Sequence, residues 1–542
     1  MDEQTSVLFN PNVQGFSFPF VFRLPTEILE TIFILCAREY QDRDRWTCFD
    51  TLDVPSWVNI SYVCRHWRNV ALNCPTLWSY ISATSSRWAK EFLARSEQSL
   101  LKVHLNADNS RKRLRNNSFL EQVMNHVERM QELRLHMLSD HGFLLAKLSS
   151  RAPRLEILEI SETASVCSEA RRSSLPFDGD TPALRTLCLS YCSVSWYSFR
   201  LSGLTTLDLH RVPARFQQNT VEFLATLSCM QDLTHLYLDR ALTSATGFLS
   251  SSAFETFQKV DLPHLSHLCL VAPLSTVIAF LSCVTIPLET ELRLKCCSEH
   301  DSSFDDYASL SSLLAQRFGM SEDQAVPSPT ILSLIIRQDM QHWGELKLTV
   351  SILERKCDAL FPTPWHLFRW QDCNIPLEID VFPDRPIVEK DDRIISHLCM
   401  FLTNVQRVHV VGLPFALDIW SKILGQLPGL RYLELIDGDM SDLAPVFSVT
   451  PHAGCTENEG GYADRGLDRV LAPALEELEL HCIRFSSAAD VQSLYDALST
   501  RKGSRGQLKM THCCIRDYSS AGELDMIGGW GGGNFHVGSR TH

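Results

Sequence analysis

A six-residue phrase, L-x-x-L-x-L, returns along most of the chain, and nothing else in the sequence restricts the fold so strongly. It reads LLKVHL at Leu100, RLEILEI around Leu155, LRTLCL at Leu184, LTTLDL at Leu204, LTHLYL at Leu233, LSHLCL at Leu265, LRYLEL at Leu430 and LEELEL at Leu475, with Val103 and Ile160 as aliphatic stand-ins. Looser copies are MQELRL at Met130, ILSLII at Ile331 and VQRVHV at Val405, while PLETELRL before Cys296 carries one extra residue. A recurrence of this kind predicts one supersecondary unit per copy, stacked so that neighbours bury each other's apolar side.

Within a phrase the apolar positions alternate with polar ones, so each copy predicts a short strand with its last two aliphatic side chains turned inward. From Leu100 to Leu265 the copies start 30, 25, 29, 20, 29 and 32 residues apart. That spacing leaves room for a returning helix or loop, so the strands pair in parallel. The pattern resembles a leucine-rich-repeat solenoid. LRTLCLSYC at Leu184–Cys192 and LKMTHC at Leu508–Cys513 supply the cysteine that cysteine-type repeats bury after the strand. The repeat is irregular: 304–329 and 437–468 read as exposed loops, 356–392 shows no clean phrase, and 516–542, with IGGWGGGN, reads as a flexible tail.

Ahead of the repeats, Leu24 to Trp78 reads as a small helical module. Pro25 suits a first helical turn, and Glu27 and Glu30 suit the positive end of the helix dipole. Ile28, Ile32 and Leu35 form one apolar row, and Leu29, Phe33 and Cys36 form a second beside it. Periodicity leaves open whether both rows are internal or one faces a partner. After a polar insert opening AREYQDRDRW, Val58, Tyr62, Val63, Cys64, Trp67, Val70 and Ala71 take helical spacing, and Asn73-Cys74-Pro75 stops the helix.

LPxEIL with a following IF, a later VCRxWRxxA and a PxLW closure together resemble the F-box. The insert departs from the compact form of that motif, and SSRWAKEFLARSEQSLLKVHL is similar to the helix and strand that come after the F-box in mushroom-type fungal members. The resemblance implies docking on the Skp adaptor and cullin complex of SCF ubiquitin ligases, through Leu24, Pro25, Ile28, Leu29 and Ile32, with Val63, Cys64 and Trp67 partly interface and partly core. The expected fold class is α/β: an arm at 1–21, an F-box-like domain at 22–82, and an irregular solenoid at 83–515 with a parallel sheet on its concave face. The expected function is a substrate receptor of a ubiquitin ligase; an interaction scaffold without ubiquitin transfer is the alternative.

Composition removes several other classes. With 50 basic against 64 acidic residues the net charge is −14, which disfavours a general nucleic-acid role. RKRLR at Arg111–Arg115 is a solvated loop or a nuclear address. The 19 cysteines form no CxxC pair and the chain opens MDEQ, so reduced thiols in the cytoplasm or nucleus are expected. Leu268–Leu288 is uncharged and long enough to span a membrane, but Pro273, Pro287 and the repeat running into it predict a buried strand and helix. Phosphate-loop, nucleophile-elbow, zinc-protease and dinucleotide motifs are absent from the sequence. Cys296, Cys297 and His300, and His512, Cys513 and Cys514, lack paired zinc-ligand spacing. No cofactor and no catalytic residue are expected.

The outward strand positions of a curved parallel sheet are those that bind. They include Lys102, His104, Arg134, His136, Glu159, Asp208, His210, His235, Tyr237, Asp239, His267, Arg407, His409, Glu434, Glu477, Glu479 and His481. The target-binding candidates are His104, Arg134, Asp208, His210, His235, Tyr237, Asp239, His267, Glu434 and Glu479. Seven of the 19 histidines fall on outward positions, which predicts target binding that changes between about pH 6 and 7 if imidazoles titrate there; an exposed strand histidine without that role is the competing explanation.

Overall fold

The computed structural model describes residues 24–44, 56–82, 86–106, 122–137, 151–162, 177, 180–192, 194–199, 201–243, 259–287, 289–297, 304–317, 333–340, 346–353, 377–382, 405–411, 424–425, 427–439, 447, 472–499, 506–515, 523–530 and 537–540. The arm at 1–21, the RKRLR run and most of 437–468 lie outside them. The chain divides into two compact units, Met1–Leu201 and Ser202–His542.

The first unit opens with helix α1, Thr26–Asp44, followed by a 3-10 turn at Ser56–Tyr62, helix α2 at Arg65–Leu72 and a second 3-10 turn at Pro75–Trp78. Leu29, Phe33 and Ala37 bury one row of α1 at i, i+4 and i+8. The insert after Ala37 therefore begins as helix, continuing α1 to Asp44. Cys64 caps α2, its Sγ accepting from the Trp67 N–H at 3.4 Å. Trp57, Trp78 and Phe92 meet at ring-centroid distances of 5.2, 5.6 and 5.3 Å, and the Trp78 indole N–H donates to the Ala71 carbonyl at 2.7 Å.

Strands β1 (Tyr80–Ser82), β2 (Leu101–Asn106), β3 (Met130–Met137), β4 (Ile157–Glu162) and β5 (Thr186–Ser190) pair in parallel in that order, with helix α3, Ser86–Arg95, crossing between the first two. Register aligns Val103, Leu133, Leu158 and Leu187 in one inward row and Leu105, Leu135, Ile160 and Leu189 in the next.

The second unit continues the pattern with β6 (Thr206–His210), helix α4 (Thr220–Leu227), β7 (His235–Asp239), β8 (Val260–Asp261), β9 (His267–Pro273), helix α5 (Leu274–Cys283), β10 (Val284–Thr285) and β11 (Glu291–Cys297). Its inward rows are Leu207, Leu236, Leu268 and Leu292, then Leu209, Leu238, Leu270 and Leu294. The uncharged stretch Leu268–Leu288 becomes β9, α5 and β10, and among the described residues no helix is long and apolar enough to cross a membrane.

Beyond β11 come helix α6 (Phe304–Arg317), then β12 (Ser333–Met340), β13 (Leu346–Leu353), β14 (Leu377–Phe382), β15 (Arg407–Val411), β16 (Tyr432–Asp439) and β17 (Glu477–Phe485). Helix α7 (Ala488–Ser499), β18 (Gly506–Ile515), β19 (Glu523–Trp530) and β20 (Val537–Arg540) complete the unit. Three expectations are corrected here. The segment 304–329 begins as a helix, because Leu310 and Leu314 share a buried face. The sheet is not parallel throughout: β12, β13 and β14 form an antiparallel meander whose outer members pair in parallel with β15 and β11. The tail is not wholly loose either, since β19 and β20 add antiparallel to β18, with the glycines of IGGW lying opposite Leu508 and Gln507.

The copies share a backbone device at each end. Before the strand, the N–H of the first leucine closes a turn onto the carbonyl three residues back, as in Leu155 to Ala152, Leu184 to Thr181, Leu233 to Met230, Leu265 to Leu262 and Leu475 to Ala472. After it, several copies place one residue in the left-handed region: Tyr191, Arg211, Arg240, Cys482 and His512. The next side chain then drops into the core, as Cys192, Val212, Ala241, Ile483 and Cys513 do. Cys192 and Cys513 donate Sγ–H to the carbonyls of Ile160 and Leu480 on the preceding strand, at 3.0 and 3.4 Å. Burial pushes the Cys513 thiol up to about 11, as suits a packing residue.

A left-handed arginine costs about 1–2 kcal/mol, while glycine gives back roughly 0.5–1 kcal/mol through chain freedom. Arg240→Gly is therefore expected to raise stability by about 0.5–1 kcal/mol in urea denaturation. Arg240→Ala, which keeps the Cβ at φ 47, should give no gain; equal effects of the two would overturn this account.

Candidate functional site

The module presents two kinds of apolar surface. Leu29 is 0% exposed, whereas Ile28, Leu35, Tyr62 and Val63 are 48%, 56%, 65% and 53% exposed. Helical geometry explains the split: Leu29 and Phe33 turn toward α2, where Phe33 meets Trp67 at 5.1 Å, while Ile28 and Leu35 turn away. Pro25 is exposed, and Leu24, Ile32, Cys64 and Trp67 are half-buried. Of the docking candidates, Leu29 is thus corrected to a core residue, and Leu35 and Tyr62 are exposed residues that the candidate set omitted. Leu35 lay in the same i, i+4, i+7 row as Ile28 and Ile32, so its signal was present.

The outward strand positions are not a row of free side chains. In the first unit they converge on Glu132, which is buried among donors. His104 Nε2 lies 2.9 Å from Glu132 Oε1, Arg134 Nε donates to the same oxygen at 2.5 Å, and Lys102 stands 3.9 Å from Oε2. Tyr80 Oη bonds His104 Nδ1 at 3.0 Å, and Arg134 reaches on to Glu159. Burial alone would raise the Glu132 pKa; the hydrogen bonds and charge of His104 and Arg134 outweigh it and hold the carboxyl at about 2. Glu132 was missing from the candidate set although it holds the place in MQELRL that His235 and His267 hold in their phrases, and it pairs in register with the outward Lys102.

In the second unit, His210 Nδ1 lies 2.6 Å from Asp239 Oδ2, and His267 Nε2 lies 3.2 Å from Glu291. The His235 and His267 rings stack at 4.5 Å with an angle of 8°, because LTHLYL and LSHLCL place them opposite each other in register. Thr234 and Ser266 donate their hydroxyls to the carbonyls of Thr205 and Thr234, and each hydroxyl oxygen sits 2.9 Å from the Nδ1 of the histidine that follows. A hydroxyl committed in this way is left to accept from Nδ1–H. Burial, then the neighbouring His267, pushes the His235 pKa down. Burial also raises the Tyr237 phenol and the Cys269 thiol; Tyr237 and Asp208 sit across from Cys269 and Tyr237 in the same register row.

A third cluster forms on β15–β18, where His409, Glu434, Glu479 and Lys509 are successive partners in register. His409 and Glu434 are 2% and 1% exposed, joined at 2.5 Å. His481 Nε2 lies 3.2 Å from Glu434 and 3.1 Å from Glu479, and Lys509 bonds Glu479 at 2.9 Å. Burial opposes the charged imidazole of His481, but the two carboxylates prevail and push it up to about 9; Glu479 is held at about 2 against burial by His481 and Lys509. Hence the expectation of histidines titrating between pH 6 and 7 is corrected at His481, which is moved well above that range.

Compared with known families, residues 21–84 match the family described as F-box-like, so an F-box-like domain forms the N-terminal end. No curated protein matches the chain. Among solved structures, the chain is similar to the protein of "Crystal structure of TLR13-ssRNA13 complex" at 12% identity and a TM-score of 0.30, covering 80% of this chain and 52% of that one. The chain thus spans about half the length of that protein, and a TM-score of 0.30 is too low to assign its fold or its ligand here.

Proposed function

We propose that the chain is the substrate-recognition subunit of an SCF-type ubiquitin ligase, an F-box-like module carrying an irregular leucine-rich-repeat solenoid. The observation that carries this reading is the coincidence of the F-box-like match at 21–84 with exposed Ile28, Leu35, Tyr62 and Val63. Large apolar side chains about half exposed or more on a folded module mark a contact surface for another protein. The Skp adaptor docks there, with Pro25, Leu24, Ile32, Cys64 and Trp67 at its margin, and the adaptor links to the cullin. Leucine rows on one side of the sheet and polar ladders on the other support the solenoid reading. His104, Arg134, Asp208, His210, His235, Tyr237, Asp239, His267, Glu434 and Glu479 belong to the polar ladders, and a target protein binds on the semi-exposed ones. The protein's part in transfer is proximity: it raises the effective concentration of target lysines at the charged enzyme.

Ile28→Asp and Val63→Asp both fall on exposed sites, so the module should stay folded. Each is expected to weaken co-purification with the Skp adaptor by at least about thirtyfold, the effect of an interface hot spot. Undiminished binding by folded variants overturns the assignment. Ubiquitylation reconstituted with adaptor, cullin and a captured target separates the ligase from a scaffold that docks without transfer.

A further inference from the structure

The third polar cluster has a donor set that the receptor reading does not use. Glu434 on β16 and Glu479 on β17 are direct register partners, so two buried carboxylates stand side by side. Like charges opposite each other across strands are destabilising. Lys509 serves only Oε1 of Glu479. Oε1 of Glu434 and Oε2 of Glu479 both turn instead to one atom, His481 Nε2, at 3.2 and 3.1 Å. A single imidazole proton is thus shared between two carboxylates. The three atoms lie within 4.8 Å of one another.

We propose that Glu434, Glu479 and His481 bind one divalent transition-metal ion of the zinc type. Tetrahedral zinc with bonds of about 2.0–2.2 Å holds its ligand atoms about 3.4 Å apart, close to the nitrogen–oxygen separations found here. One imidazole and two carboxylates favour zinc-like ions over magnesium or calcium, which take oxygen donors in larger number. Binding puts the ion where the shared proton lies, the Nε2 proton passes to solvent, and the neutral imidazole coordinates. His409 is the supporting residue: its Nδ1 holds Glu434 Oε2 at 2.5 Å, fixing the carboxylate so that Oε1 faces the ion. His481 keeps one-fifth of its side chain exposed, which gives the ion a route in and leaves a coordination position for water or a partner's donor atom. The ion ties β16 to β17 on the polar side of the sheet.

Cobalt(II), titrated into the full chain, tests this because its spectrum reports ligand type. The expected result is saturation at one ion per chain with visible absorption of nitrogen and oxygen donors and no thiolate charge-transfer band. His481→Gln should abolish the absorption, His409→Gln should weaken binding about 10–100-fold, and the double substitution Cys482→Ser, Cys514→Ser should leave the spectrum unchanged. Absence of the band at stoichiometric metal, a spectrum dominated by thiolate ligation, or a band that survives in His481→Gln each overturns the proposal. The spectrum of the unsubstituted chain decides it even if a variant does not fold.

Discussion

Trp78→Ala is expected to unfold the N-terminal module, whereas Ile28→Asp, in the same module, is expected to leave it folded and unable to dock. The contrast comes from where the two side chains lie. Trp78 is fully buried, packed edge-on against Trp57 and Phe92, covered by the Arg95 guanidinium at 4.4 Å, and hydrogen-bonded to the Ala71 carbonyl at the end of α2. Truncating a buried tryptophan costs about 3–5 kcal/mol. The Ala71 carbonyl also loses a partner, adding about 1 kcal/mol or more. A module of some 60 residues has little more than that in reserve. Hydrogen exchange read by mass spectrometry should show protection lost across residues 56–95 in Trp78→Ala and kept in Ile28→Asp. Retained protection in Trp78→Ala would contradict the packing account. Leu29→Asp belongs with Trp78→Ala, since it places a charge where no side-chain surface reaches solvent; a docking test built on Leu29 would therefore measure folding.

The contrast also marks where the sequence is legible. Period-two alternation found the strands because leucine is the dominant inward residue, and the register rows through Leu133, Leu158 and Leu187 follow directly. β14 was missed although Leu377, Ile379 and Val381 alternate with Glu378 and Asp380, because the opening leucine of the phrase is absent and prolines surround it. The antiparallel meander could not be read at all: strand direction depends on which neighbour completes the ladder, and a parallel and an antiparallel strand share the same alternation. At the module, the two apolar rows of α1 were visible, but choosing the buried one needed α2 and the Pro75–Trp78 turn in place. On the sheet, the alternation separated polar positions from leucine positions, yet whether a polar side chain is free depends on cross-strand register, and His409, Glu434 and Glu479 are buried. That register turned a presumed row of binding histidines into internally compensated clusters around Glu132 and Glu434.

Glu132 makes the second large effect. Its carboxyl is 3% exposed and accepts from His104 and Arg134, so Glu132→Ala leaves a half-buried guanidinium and an imidazole without their shared acceptor. Breaking a buried pair by removing one partner costs about 3–5 kcal/mol. Arg134 retains Glu159, which places the expected loss at the lower end, about 3 kcal/mol. Acid should reproduce the same loss without mutation. The folded pKa, about 2, lies below the ordinary 4.5, so the carboxylate's contribution is complete above about pH 4.5 and disappears as pH falls toward 2. A shift of that size corresponds to about 3 kcal/mol. Urea denaturation of the wild-type chain between pH 6 and pH 2.5, followed through the exchange protection of residues 101–137, should show the decline. Glu132→Gln should flatten that decline, because the amide carries no titrating proton but still accepts through its oxygen. An equally steep acid loss in Glu132→Gln would assign the sensitivity to other carboxylates and leave Glu132 as a bystander in its own cluster.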